Sequence, residues 1–169
     1  MLLVRIQVSL PINMNFQKLV KSTRRGDIRN GCRCIYIPMG RKGLKLYLTR
    51  RARDISWKNQ TIAHKARIGP KVYEKFVLGG QAVQYLFEEC SNIPWDWSKY
   101  DAKMRPHLFG FITEAVEDVT ITEAQFALLQ ARMLVAGFYD GDICVGANTG
   151  LLRGKPVCYD FDEESVGVL

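Results

Sequence analysis

Two short runs of β-forming residues, CRCIYIPM and LKLYLT, are separated only by GRKG at residues 40–43. So short a link cannot carry a crossover, and glycine at both ends suits a tight turn, so the runs fold back as an antiparallel hairpin. In the returning run Leu44, Leu46 and Leu48 alternate with Lys45 and Tyr47. That period predicts a leucine face and an opposite face carrying the lysine and the tyrosine. Any hairpin with a buried face needs a cover, and the next segment reads as a helix. Ser56 is placed to cap it, Ile55, Ile62 and Ala66 share a face, and Lys58, Lys65 and Arg67 are placed in water. Gly69 followed by Pro70 stops it.

The remaining chain supplies more strands and a second helix. VYEKFVL and LFGFITEAV read as strands. Thr122 and Gln125 form a capping-box pattern ahead of a helix that places Phe126, Leu129, Met133 and Ala136 on one face and ends at Gly137. LLRGKPVCYDF reads as a hairpin turning at RGKP. Between the strands, QAVQYLFEEC recurs at helical spacing through Val83, Leu86, Phe87 and Cys90, and IPWDWSKYDAKMRPH is loop-like, with Trp95, Trp97 and Tyr100 pinning it to its own core. Residues 1–25 read as a first strand followed by a solvated basic connection.

Charge is distributed unevenly over the 169 residues. Residues 1–75 hold 18 basic and 3 acidic side chains, whereas residues 76–169 hold 6 basic and 14 acidic. The net +7 therefore hides a basic half and an acidic half. No run approaches the roughly 20 apolar residues of a membrane span, so no membrane association is expected. The opening MLLVRIQVSLPINMNF is interrupted by Arg5 and Pro11 and is a poor signal peptide. Five cysteines without a CxxC pair and only two histidines argue against a structural zinc site, and reduced thiols in a cytoplasmic setting are expected.

Chemistry concentrates in two acidic motifs near the C-terminus. YDGDICVGANTG offers Asp142 and, six residues later, Asn148. KPVCYDFD places Asp160 just past an apolar strand, held on a rigid element yet open at its tip, where a proton acceptor or magnesium ligand works well. Together with the glycine turn RGDIRNG, the hairpin, the helix with its GP stop, ARIGPKVY, LFGFITEAV and the long helix, these motifs resemble the protein-kinase-like phosphotransferase fold. AGFYDGDICVGANTG is similar to the catalytic loop of that family, and KPVCYDFD to its metal-binding D-F-G segment.

The resemblance, over about residues 26–162, implies an α+β fold. Its basic upper lobe, residues 1–116, has an antiparallel sheet plus a helix and carries an insertion at about 79–107. A much reduced helical lower lobe, residues 117–169, follows. It implies ATP and Mg2+ as cofactors. Lys45 would hold the α- and β-phosphates, Gly26 and Gly31 would belong to the loop covering them, and the backbone of Glu114 and Val116 would meet a purine. Asp142 would accept the proton of a hydroxyl acceptor, while Asn148 and Asp160 would hold magnesium. The pattern also departs from the family. The glycine loop is G-x-x-x-x-G, the helix from Ser56 to Ile68 carries no carboxylate to pair with Lys45, and Asp162 replaces the D-F-G glycine. Only seven residues follow Asp162, leaving no place in this sequence for the segment that seats a protein substrate. By analogy, so small a kinase-like chain points to a bacterial or phage source.

Three other readings stand beside a catalytic one. The first is a non-catalytic pseudokinase or inhibitory module that binds nucleotide, and a protein partner, without turnover. The second, less favoured, is nucleic-acid binding through Lys18, Lys21, Arg24, Arg25, Arg29, Arg33, Arg50, Arg51 and Arg53, opposed by the acidic half. The third is self-association, basic face to acidic face.

Overall fold

The glycine-bounded link folds the chain back as expected, and further strands extend that hairpin on both sides into a larger sheet. The computed structural model describes residues 29–30, 34–79, 83, 107–138 and 147–161. In chain order these form β1 (Arg29–Asn30), β2 (Cys34–Met39), β3 (Lys42–Tyr47), helix α1 (Arg50–Lys65), β4 (Val72–Gly79), β5 (His107–Glu114), helix α2 (Glu123–Val135), β6 (Thr149–Leu152) and β7 (Lys155–Cys158). The first five strands make one antiparallel sheet in the order β1-β2-β3-β5-β4, and β6 and β7 make a separate hairpin. After α1 the chain takes the outer edge as β4 and then returns through the middle as β5. The fold is thus α+β, an antiparallel sheet with two helices.

Register decides which side chains meet. Tyr36 pairs with Lys45, Lys45 with Phe111, and Gly43 with Thr113. Gly40, at φ +67, makes the turn with Arg41, but Gly43 lies inside β3 and not in the turn where the sequence placed it. The leucine alternation holds, with one amendment. Leu44 and Leu46 are buried with Ile35, Ile37, Phe76, Leu78, Leu108 and Ile112, yet Lys45 and Tyr47 on the opposite face are buried too. That second face is covered by α1, whose Trp57 meets Phe111 edge-on at 5.5 Å.

Helix α1 corrects two expectations. Its N-cap is Thr49, whose hydroxyl accepts from the Ala52 N–H at 3.1 Å, so the helix begins directly after β3. Ser56, expected as the cap, lies inside the helix and is fully buried, its Oγ accepting from the Tyr47 hydroxyl at 2.7 Å. The buried face is Arg53, Ser56, Asn59, Gln60 and Ala63, while Ile62 from the expected apolar face is exposed. An apolar moment misjudges a helix whose inward polar groups find partners: Gln60 Nε2 donates to Thr113 Oγ1 at 2.5 Å and to Pro70 O at 3.3 Å. The helix end differs also. Arg67, at φ +59, takes the left-handed position expected of Gly69. Gly69 serves instead for close approach, since a Cβ there would fall 2.8 Å from Phe161.

Helix α2 forms as its sequence reads. Thr122 Oγ1 accepts from Gln125 N at 3.2 Å, Gln125 Oε1 accepts from Thr122 N at 2.9 Å, and Gly137 ends the helix at φ +79. Leu129 and Met133 are buried in a cluster with Ala63, Ile68, Ile121, Phe138, Cys158 and Phe161, which joins the end of α1, α2 and the β6–β7 hairpin. The hairpin turns at Arg153 (φ +53) and Gly154 (φ +75), the two positive angles of a tight hairpin turn.

Main-chain bonds tie this hairpin to the chain leaving β5: Glu117 N–H donates to Leu151 O at 2.9 Å, and Leu151 N–H to Glu117 O at 3.0 Å. Gly150 permits that approach, because a Cβ on it would stand 2.4 Å from Glu117 O. Gly150→Ala is therefore expected to cost about 1–3 kcal/mol by overpacking. Urea denaturation should show a lower midpoint for the alanine variant.

Candidate functional site

Lys45 projects from the middle of β3, its side chain only 5% exposed. Its Nζ stands 3.6 Å from Asp160 Oδ1 and donates to the Tyr159 carbonyl. Asp160 lies two residues past β7 and reaches this point because Cys158 N–H, donating to Ile68 O at 2.9 Å, anchors the hairpin, while Tyr159 N–H, donating to Asn148 O at 3.0 Å, extends its ladder. Asn148 enters β6 in the left-handed region, at φ +57, a conformation asparagine tolerates better than most residues.

These residues open onto one cavity of about 220 Å³. Lys45, Glu114, Val116, Asn148 and Asp160, which the sequence singled out, all line it. Asp142, Gly26 and Gly31 lie outside the described residues, as do Trp95, Trp97, Tyr100 and the proposed helix at QAVQYLFEEC apart from Val83. Cys34, Tyr36, Thr113 and Tyr159, which were not anticipated, complete much of the wall together with Arg29, expected only in the basic set. Tyr36 stands beside Lys45 because the turn is Gly40 and Arg41 alone; a turn made of all of GRKG would have paired it with Tyr47.

The linker after β5 has a defined bonding pattern. Glu114 N–H donates to Lys71 O at 2.8 Å and Ala115 N–H to Arg41 O at 3.1 Å. The Glu114 carboxylate accepts from Arg153 Nη2 at 2.7 Å, joining the end of β5 to the hairpin turn. Asp54, placed outside the helix by the sequence reading, lies within α1 but does not approach Lys45. It pairs with Arg53 at 2.9 Å and Lys75 at 2.7 Å. Partial burial works to raise its carboxyl, but hydrogen bonds and charge from Lys75 and Arg53 outweigh that and hold it below its usual value.

Two members of the basic set are engaged within the fold. Arg29 pairs with Asp118 at 2.8 Å, and buried Arg53 also donates to Phe76 O at 3.3 Å. Among the described residues no three His, Cys, Asp or Glu side chains cluster as a metal cage. One carboxylate and one amide on the same wall suit magnesium, which takes few protein oxygens and completes its shell with phosphate and water. No helix among the described residues is long and apolar enough to cross a membrane.

Tyr47 lies behind the cavity, fully buried and stacked on Phe111 at 5.8 Å. Burial first, then the Cys34 thiol and the Asp160 charge, push its phenol well above the usual 10.0. The folded chain keeps this proton at pH values where the unfolded chain releases it. Its stabilising contribution is intact below about pH 10 and is lost as pH rises from there toward the folded value. Tyr47→Phe should cost about 1 kcal/mol at neutral pH through the lost hydrogen bond. In denaturation curves measured through the alkaline range, its stability should fall less steeply with pH than that of wild type.

The chain matches no protein-family model and no curated protein.

Proposed function

We propose that this chain is a minimal kinase-like unit that binds ATP with magnesium in the cavity beside Lys45 and transfers phosphate to a hydroxyl acceptor. The observation that carries the reading is convergence: five residues spread from 45 to 160, chosen for separate roles, line one cavity. Support also comes from the element order. A helix intervenes between β3 and β4, β5 returns to the middle of the sheet, and a hairpin ends two residues before Asp160.

Lys45 would hold the α- and β-phosphates, Asp160 and Asn148 the magnesium ion, and the ion would neutralise charge on the phosphates. With Glu114 N–H already bonded, a purine would be met by Glu114 O and the Val116 peptide. Because α1 brings no carboxylate to Lys45, the lysine rests on Asp160 in the free protein. Lys45 would turn from that carboxylate to phosphate and leave Asp160 to hold the metal, so that phosphate and metal binding would be coupled. Asp142 is the proposed proton acceptor, with Gly26 and Gly31 in the loop over the phosphates.

Titration calorimetry should detect ATP binding that tightens with magnesium, and no binding at millimolar ATP would end the proposal. Transfer of labelled phosphate to the chain itself or to a lysate should occur with wild type and fail with Asp142→Asn. Binding without transfer would instead identify a non-catalytic nucleotide-binding module.

A further inference from the structure

The roles proposed above leave Tyr36 unused, although it forms part of the cavity wall. Across the hairpin it pairs with Lys45, so its side chain stands on the cavity face of the sheet. Its phenol end reaches over Gly43: a Cβ on Gly43 would fall 2.2 Å from Tyr36 Cε2 and 2.3 Å from its hydroxyl oxygen. Any other residue at 43 would push the ring away, so glycine is what seats it.

The Arg29 guanidinium lies over the ring, 6.0 Å from its centroid, and Arg29 is another wall residue of the same cavity. A planar group between two planes needs about 7 Å, twice a van der Waals contact, so the guanidinium has to move off the ring to admit one. Asp118 pairs with the guanidinium at 2.8 Å. Both members of that pair are about half exposed, so the adjustment disturbs little.

We propose that Tyr36 and Arg29 form a stacking slot for a planar heteroaromatic base, with Tyr36, seated on Gly43, as the residue that sets preference for base-bearing ligands over bare polyphosphate. This rests on the nucleotide-binding reading and deepens it. Burial holds the Tyr36 phenol above its usual range, against the pull of Arg29 and with a further push from Tyr159, so the ring is neutral at physiological pH. A neutral aromatic face and an opposing guanidinium stack on any base without reading its edge.

The test uses the full chain with magnesium and three probes: ATP, adenosine and inorganic tripolyphosphate. Tyr36→Leu should weaken adenosine and ATP by on the order of ten- to a hundredfold while tripolyphosphate changes less than about twofold. Tyr36→Phe should match wild type, and Gly43→Ala, which displaces the ring, should follow Tyr36→Leu. Should Tyr36→Leu fail to fold, the comparison of Tyr36→Phe with Gly43→Ala carries the same contrast. If wild type binds ATP but the losses fall equally on all three probes, or on none, the slot is overturned while nucleotide binding stands. A wild type that binds neither ATP nor adenosine overturns both.

Discussion

Asp160→Ala is expected to bind ATP no more tightly with magnesium than without it, where wild type gains on the order of ten- to a hundredfold, the range for hydrogen bonds to charged groups. The Asp160 carboxylate shares the cavity wall with Lys45, while the other carboxylate on that wall, Glu114, is engaged by Arg153. Removing it has a second consequence. The Lys45 ammonium is almost fully buried and would keep only the Tyr159 carbonyl as its described partner. An abandoned buried charge costs about 3–5 kcal/mol, so the alanine variant should also be less stable. Asp160→Asn separates the two effects, since its amide oxygen still accepts from Lys45 but offers no negative charge to a metal. Calorimetry with and without magnesium, paired with urea denaturation of both variants, checks this. Full magnesium dependence in a folded Asp160→Asn protein would remove Asp160 from the site.

Phe161→Ala should produce the largest loss of stability, about 3–5 kcal/mol. Phe161 is fully buried where three elements meet: it packs edge-on against Phe138 at 5.4 Å and lies against Gly69 beside Ala63. Gly69 has no side chain with which to fill the resulting cavity, and Phe138 is held at the end of α2. Phe161 also follows Asp160 directly, so its seat fixes where the carboxylate stands. The variant should therefore lose both midpoint in denaturant and nucleotide affinity, and Phe161→Leu should recover much of each. Affinity unchanged in a destabilised Phe161→Ala protein would show that Asp160 is positioned by β7 alone.

The two variants expose how differently parts of this fold are written in the sequence. Strands and turns were readable where local chemistry allows few alternatives. GRKG between two β-runs leaves little but a hairpin, RGKP likewise, and Thr122 with Gln125 announces α2 because both partners of the capping box are three residues apart. The start of α1 was not readable, because Thr49 and the arginine-rich turn after it carry no apolar period. The inward face of α1 failed for a related reason. Ser56 Oγ and Gln60 Nε2 on that face bond to Tyr47, Thr113 and Pro70, residues that a helical wheel cannot contain.

The candidate site divides along the same line. An acid at a strand tip and an asparagine in a nearby loop marked Asp160 and Asn148, since their chemistry is visible one residue at a time, whereas Lys45, Glu114 and Val116 were marked only by the family resemblance. Composition and local pattern also set the hairpins, α2 and the polarity of charge. That Lys45 rests on Asp160, that Asp54 turns away to Lys75, and that Tyr36 is seated on Gly43 opposite Arg29 depended on strand register and on where β5 and the second hairpin came to lie. Those contacts span up to more than a hundred residues. Their partners become neighbours only when burial of the sheet and of the Phe161 cluster has already brought the chain together, so no local pattern can encode them.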